Sequence, residues 1–215
     1  LKSLGEVPGG PATVIEALLE AVGSSGTLLM PALSYEHVNG RQPLFDPNWT
    51  ASCVGAIAET FRTWPGVMRS VHPTHSICAI GRHASDLLVR HHLDVTPVGP
   101  NSPLSLMRQV GGKILMLGCG LRPNTSMHGV EELVRPPYLF QRSRVQYVIC
   151  SRIGQQVVWH YRHDFDGWLQ RYDRLEQVMT DGLTTGRVME AKAFLIDARR
   201  MWEAAHAALL RDSFS

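Results

Sequence analysis

The sequence lacks the features that mark several large classes of protein. Only 19% of its 215 residues are charged, the formal net charge is +2, and no long run of lysine and arginine occurs. The charge is therefore too small for a nucleic-acid-binding surface. No apolar stretch approaches the roughly 20 residues of a membrane-spanning helix, yet 44% of the residues are hydrophobic, which excludes disorder. We expect a soluble protein with no nucleic-acid and no membrane partner.

Cysteine is scarce, and three common functional motifs are absent. The four cysteines lie far apart with no Cys-x-x-Cys pair, which predicts buried thiols in the reducing cytoplasm instead of a disulfide framework. The sequence has no Gly-x-Ser-x-Gly nucleophile elbow and no phosphate-binding Gly-x-x-x-x-Gly-Lys loop. Gly118-Cys119-Gly120 lacks the third glycine of the dinucleotide fingerprint, which argues against a Rossmann cofactor.

Helix and strand patterns alternate along the chain and predict one α/β domain over residues 1–215. Residues 11–22 have apolar side chains at helical spacing between a proline and Gly23. Residues 113–118 predict a buried strand, and residues 145–161 predict a hairpin around Gly154. Residues 192–210 predict a long helix.

A first candidate site is the segment His72-Pro73-Thr74-His75, which follows Arg69-Ser70. Two histidines three residues apart can bind a metal ion or a phosphate-bearing ligand. The alternative is a polar loop in which both histidines bond to the backbone. The spacing favours that alternative, because a zinc site needs a third and a fourth ligand.

A second candidate site follows the strand at residues 113–118. If a helix starts near Ser126, His128 and Glu131 share one face, and a carboxylate beside a neutral histidine makes a plausible general base. The alternative is that Ser126 and the two glutamates 131 and 132 only cap and solvate the helix. In the later segment 163–166 (HDFD), an inward aspartate would complete a base and orienting pair.

The order of four motifs resembles the aminoglycoside 3-N-acetyltransferase family, the antibiotic N-acetyltransferases that use acetyl-coenzyme A. The motifs are MP-x-x-S at 30–34, RS-x-HP at 69–73, SP before GGKILMLG at 111–118, and NTSMH-x-x-E at 124–131. The resemblance implies an α/β fold with a mixed central sheet flanked by helices, different from the common acetyltransferase fold. It also implies a bacterial antibiotic-resistance enzyme, monomeric or homodimeric, that transfers acetyl without a metal to the 3-amino group of an aminoglycoside or to a similar small amine.

The resemblance also implies site residues. His128 corresponds to the base, Glu131 to its acid, Asp166 (with Asp164 second) to the orienting carboxylate, and Thr125 to an oxyanion donor. The coenzyme positions are Lys2, Ser3, Leu4, Gly5, Ser70, Val71, His72 and His75, and the acceptor positions are Tyr35, Glu36, Asp46 and Glu131.

Two other functions compete with acetyl transfer. One is a metal-dependent hydrolase that uses His72, His75 and His128 with Glu131 or Asp166. The other is a coenzyme A-binding protein without catalysis. We also expect that the chain, which starts at Leu1 without methionine, lacks the N-terminal segment that such acetyltransferases carry.

Overall fold

The computed structural model describes residues 1–212 and confirms the α/β class. The chain divides into two compact units. The first unit contains Leu1–Glu6, Leu104–Gln141 and His163–Ser215, and the second contains Val7–Pro103 and Arg142–Arg162. The single domain over residues 1–215 therefore stays a prediction. The strands of the described part form three sheets of three strands, instead of one central sheet.

The helices and strands are short and are numbered in chain order. No helix within residues 1–212 combines the length and the apolar character that crossing a bilayer requires. The helices are α1 Pro11–Val22, α2 Ala56–Arg62, α3 Ala84–Leu88, α4 Pro103–Leu106, α5 Ser126–Val134, α6 Leu175–Val178 and α7 Ala198–Arg211. The strands are β1 Thr27–Pro31, β2 Leu44–Phe45, β3 Met68–Arg69, β4 Ile77–Gly81, β5 Lys113–Leu117, β6 Val145–Ser151, β7 Gly154–His160, β8 Leu183–Val188 and β9 Ala191–Asp197.

The second unit confirms two predictions that rest on local sequence. Helix α1 spans the predicted residues and ends at Gly23, whose φ of 67° is a conformation that glycine adopts easily. Strands β6 and β7 form the predicted hairpin, with Ser151 paired to Gly154. Their sheet has the order β2-β6-β7 and is mixed, since β2 runs parallel to β6. The other sheet, β1-β4-β3, is antiparallel.

The first unit contains an antiparallel sheet with the order β5-β9-β8, and α5 and α7 pack against each other. Strand β5 was expected to be buried, but it buries only Met116 fully, while Leu115 is 40% exposed. The reason is that β5 lies at an edge of a three-stranded sheet with one covered face.

The predicted helix over residues 192–210 was wrong in its first third. Residues Ala191–Asp197 form strand β9, in which Ala191, Ala193 and Ile196 are buried. Helix α7 starts only after Asp197, whose carboxylate caps it by accepting a bond from the Arg200 N–H at 3.0 Å. Pairing with β5 and β8 outweighs the helix propensity of this alanine-rich segment.

Candidate active site

The start of helix α5 is anchored to helix α7 in the first unit. The indole Nε1–H of Trp202 donates to Ser126 Oγ at 2.9 Å, and the Asn124 amide contacts Met201 Sδ at 3.1 Å. Asn124 also accepts a bond from the Ser126 N–H at 3.2 Å. Ser126 is therefore held inside the unit and is not a solvated cap. These contacts fix the first turn of the helix, where His128 lies.

His128, Glu131 and Tyr172 form one hydrogen-bonded group. Glu131 Oε2 lies 3.1 Å from His128 Nδ1, and the Tyr172 hydroxyl lies 2.9 Å from the same nitrogen. That hydroxyl donates to Glu131 Oε2 at 2.6 Å. The His128 side chain is 18% exposed and that of Glu131 only 3%. The imidazole can thus meet a substrate, whereas the carboxylate lies behind it.

The two phenols beside Glu131 stay protonated. Burial, and then the charge of Glu131, raises the pKa of Tyr172 well above its usual value. Burial together with the same charge and a hydrogen bond to it raises the pKa of Tyr138 to about 12. Both hydroxyls therefore remain donors to the carboxylate at neutral pH.

This arrangement selects one tautomer of His128. The Tyr172 proton points to Glu131, so the phenol oxygen and the carboxylate oxygen next to Nδ1 are both acceptors. Nδ1 must then carry the hydrogen, and the lone pair of a neutral ring lies on Nε2. A buried carboxylate next to Nδ1 also stabilises the imidazolium that forms when Nε2 takes up a proton.

The aspartates assigned to the orienting role lie elsewhere. Asp164 and Asp166 are both exposed. Within residues 1–212 the carboxylate that bonds to His128 Nδ1 is that of Glu131. The orienting role had been assigned to Asp166 instead. Asp166 lies in an exposed turn together with Gly167, whose φ is 78°. Thr125 is half-buried at the N-cap of α5, where its carbonyl accepts a bond from the His128 N–H at 3.2 Å.

Three residues of this site were not found by sequence reasoning. Tyr172 lies in a short 3-10 turn, and no motif pointed to it. Glu132 entered only in the alternative of a capped and solvated helix, but its carboxylate lies 3.1 Å from His163 Nε2. The segment containing His163 was a candidate for its aspartates only.

The predicted coenzyme segment at the start of the chain is ordered by contacts within the first unit. The Ser3 hydroxyl donates to the Gly118 carbonyl at 2.7 Å, and Leu4 is buried. Gly5 has a φ of 82°, and a Cβ there would lie 2.6 Å from the Glu190 carboxyl carbon. Lys2 is exposed. The segment thus lies beside the loop that follows β5.

In the histidine loop of the second unit, the ring of His72 bonds to the backbone, whereas His75 Nδ1 lies 2.9 Å from Thr74 Oγ1. His72 is fully buried, and its Nδ1 accepts bonds from the N–H groups of Thr74 at 3.3 Å and His75 at 3.0 Å. Its Nε2 donates to the Thr96 carbonyl at 3.1 Å. Both ring nitrogens are occupied, so His72 cannot serve the hydrolase as a metal ligand. Within residues 1–212, no group of three or more His, Cys, Asp or Glu residues could hold a metal ion.

Two further histidines pack on His72. The ring of His91 stacks on it with centroids 5.0 Å apart, and His160 meets its face edge-on at 4.8 Å. Ser70 Oγ accepts from the Ile77 N–H at 2.8 Å and lies 2.8 Å from His91 Nδ1. Ser70 is thus buried as well, and only Val71 and the half-buried His75 of this loop reach the surface.

We expect this histidine stack to destabilise the protein in acid. Burial lowers the pKa of His72 well below 6.5, that of His91 to about 3, and that of His160 to about 4. Repulsion from neighbouring histidines adds to this effect for His72 and His91, and repulsion from Arg144 adds to it for His160. Below pH 6.5 the unfolded chain binds protons that the folded chain does not, so the free energy of unfolding decreases as the pH is lowered. The expected loss is about 2 kcal/mol per histidine between pH 6.5 and 5.

Urea unfolding followed by circular dichroism at pH 7, 6 and 5 measures this loss. His160→Phe should reduce it by the share of one histidine, because the phenylalanine ring takes up no proton in the unfolded chain. Exposed His37 provides the control, since His37→Gln changes a histidine outside the stack and should leave the loss in place. An unfolding free energy that is equal at pH 7 and pH 5 would contradict the expectation.

The predicted acceptor residues of the second unit lie in the loop before α2. Tyr35 and Glu36 are exposed, and the ring of Tyr35 lies 6.1 Å from that of His75. The Asp46 carboxylate accepts bonds from the N–H groups of Asn48 at 2.8 Å and Trp49 at 3.3 Å. Asp46 is therefore committed to its own turn. Tyr35 and Glu36 remain open to a ligand.

Comparison with known proteins decides the family. The family model described as aminoglycoside 3-N-acetyltransferase matches residues 1–210. The chain belongs to the aminoglycoside 3-N-acetyltransferase family. Among acetyltransferases of this name, the chain is 30% identical to aminoglycoside N(3)-acetyltransferase IX of Micromonospora chalcea, over 92% of this chain and 80% of the relative. It is 33% identical to aminoglycoside N(3)-acetyltransferase III of Pseudomonas aeruginosa, over 93% of this chain and 80% of the relative.

Solved structures of aminoglycoside acetyltransferases agree with this family assignment. A mutant of AAC(3)-IVa in complex with a gentamicin has a TM-score of 0.83 and 28% identity, and the match covers 99% of this chain and 79% of that chain. AAC-IIIb in a binary complex with CoASH has a TM-score of 0.83 and 27% identity, with 98% and 87% covered. The family expected from the sequence motifs is thus confirmed, and so is the fold of the aminoglycoside acetyltransferases.

Proposed function

We propose that this chain transfers the acetyl group of acetyl-CoA to an amine of an aminoglycoside or a similar small molecule, with His128 as general base. The observation that carries the proposal is the bonding of His128 Nδ1 to Glu131 and Tyr172, which leaves the lone pair of the ring on Nε2. Membership of the aminoglycoside 3-N-acetyltransferase family supports the reaction class. The CoASH complex of AAC-IIIb supports the acetyl donor.

His128 Nε2 removes a proton from the acceptor amine as the amine nitrogen attacks the thioester carbonyl. The new C–N bond gives a tetrahedral oxyanion, and the imidazolium is stabilised by Glu131 behind it. Collapse of the oxyanion breaks the C–S bond. The imidazolium then returns its proton to the leaving thiolate, so that His128 is neutral again.

Two other parts of the first unit have proposed roles in this reaction. The Thr125 hydroxyl, at the N-cap of α5 and three residues before His128, would donate to the oxyanion. Lys2 and the turn that follows it would contact the coenzyme, and the Ser3 bond to Gly118 holds this turn beside the loop after β5. Neither role requires a metal ion.

The charge of the pocket near His128 bears on which acceptor the protein uses. Next to the His128 group lies a pocket with walls from Tyr138, Trp168 and Tyr172, in which Glu131 is accompanied by Arg171 and Arg174. Arg171 forms an ion pair with Asp173 at 2.9 Å, so Arg174 and Glu131 leave the lining close to neutral. A gentamicin is bound by a mutant of AAC(3)-IVa, so aminoglycosides remain the first acceptors to test, with amines of lower charge beside them.

A thiol-release assay tests this function. The protein is mixed with acetyl-CoA and a panel of aminoglycosides, diamines and monoamines, and free CoASH is followed with a thiol reagent. We expect release that depends on the acceptor, with a mass increase of one acetyl group on the product. Calorimetric binding of coenzyme A without turnover on any acceptor would instead support the non-catalytic coenzyme-binding function.

A further inference from the structure

A second histidine–glutamate pair lies directly against the first. Glu131 and Glu132 are neighbours on α5. Glu131 bonds to His128, while Glu132 Oε1 lies 3.1 Å from His163 Nε2. The rings of His128 and His163 are 4.7 Å apart between centroids, at an interplanar angle of 54°. Two consecutive glutamates thus each bond to one of two imidazoles that are in contact.

Aromatic rings and backbone bonds hold this second pair in place. Phe140 stacks on the His163 ring at 5.7 Å, and Phe165 contacts both imidazoles, at 4.8 Å for His163 and 5.1 Å for His128. The backbone of His163 pairs with that of Phe140 in an antiparallel bridge. The side chains of His163 and Glu132 are each only 7% exposed. The pair is therefore a built part of the unit and not a surface ion pair.

The two imidazoles differ in the charge that they can carry. Burial, and then repulsion from His128, lowers the pKa of His163 well below its usual value. A neutral His163 donates its Nε2–H to the Glu132 carboxylate. A proton that arrives at this group of residues is consequently expected on His128, and a second positive charge 4.7 Å away is avoided.

We propose that Glu132 and His163 are positioning residues for the base His128. The neutral His163 ring packs against the His128 ring and fixes its plane, and the Glu132 carboxylate bonded to His163 adds a negative charge to the surroundings of His128. This inference rests on the proposed acetyl transfer, since it assigns a role within that reaction. The charge of Glu132 would stabilise the His128 imidazolium, in addition to Glu131. Among the described residues, two further titratable groups lie at this site: Tyr172 contacts His128, and Tyr138 lies beside Glu131.

Glu132→Gln tests the proposal, because glutamine keeps an acceptor for His163 and removes only the charge. We expect kcat to fall about 10-fold with KM for both substrates nearly unchanged. The acid limb of the pH–rate profile should move by about half a pH unit to lower pH, because the imidazolium has lost a nearby negative charge. A purely structural role would lower activity without moving this limb.

Glu203→Gln is the matched control, since it makes the same change at an exposed glutamate of α7 in the first unit. It should leave the acid limb in place. If Glu132→Gln also leaves the limb in place, the proposal is wrong.

A readout without substrate separates this proposal from the proposed function. Diethyl pyrocarbonate modifies neutral imidazole, and peptide mapping by mass spectrometry follows the modification of His128 against pH. The midpoint of His128 modification should again lie about half a pH unit lower in Glu132→Gln than in the protein without the substitution. A shifted midpoint in a protein that acetylates no acceptor would support the pair and overturn the function. An equal midpoint would overturn the pair, whatever the activity.

The unmodified protein offers a test that does not depend on the variant folding. In the NMR spectrum of the ¹⁵N-labelled protein, the His163 ring should keep the shifts of a neutral imidazole from pH 8 to pH 5. Titration of His163 within this range would contradict the proposal, because the ring would then compete for the proton.

Discussion

Replacing His128 with alanine is expected to lower kcat for acetyl transfer by about 10³-fold, with little change in KM for acetyl-CoA. The expectation follows from the bonds to Nδ1, which place the lone pair on Nε2, and from the buried Glu131 that stabilises the charged ring. Without the imidazole, the attacking amine loses its proton only to water. Steady-state kinetics with the best acceptor of the thiol-release panel measures the effect.

A chemical rescue sharpens this prediction. Imidazole added to the buffer should restore part of the rate of His128→Ala, since a small base can occupy the space of the lost ring. His92→Ala is the control, because His92 is an exposed histidine of the second unit and should keep the full rate. If His128→Ala retains a rate within about threefold of the unmodified protein, His128 is not the base.

Glu131→Gln is expected to lower kcat by about 10²-fold, whereas Asp166→Asn should stay within about threefold of the unmodified protein. Glutamine matches the shape of Glu131 but removes the charge that faces His128 at 3.1 Å and that accepts the Tyr172 hydroxyl at 2.6 Å. Asp166 is exposed. Each substitution turns one carboxylate into an amide, so the comparison isolates the position of the carboxylate.

The stability of both variants must be measured beside their kinetics. Glu131 lies in the interior, so its replacement also changes folding, and thermal unfolding separates a lost fold from a lost charge. Tyr172→Phe adds a second reading, because it removes one bond to Nδ1 and leaves the carboxylate in place. If Asp166→Asn proves as damaging as Glu131→Gln, the orienting role returns to Asp166.

Structural features that depend on residues close together in the sequence could be predicted. The proline, the apolar spacing and Gly23 predict helix α1, and Gly154 predicts the hairpin of β6 and β7. In the same way, the start of α5 at Ser126 places His128 and Glu131 three residues apart on one face. These signals lie within a few residues of one another, where helix and turn geometry alone determines the contact.

Structural features that depend on residues far apart in the sequence could not be predicted. Tyr172 is 41 residues from Glu131, and His163 is 31 residues from Glu132. No spacing rule connects residues at such distances. The segment at residues 191–197 has a composition that suits a helix, yet it forms β9 because β5 and β8 offer backbone partners on both sides.

By itself the sequence determined the family motifs, the α/β class and the candidate histidine with an acid one turn away. Only the tertiary structure decided which groups complete the site. Asp166 ends in solvent, while Tyr172 and His163 reach the imidazole of His128. The reason is physical: helical geometry sets contacts three residues apart, but contacts over 30 or 40 residues depend on how the whole unit packs its core.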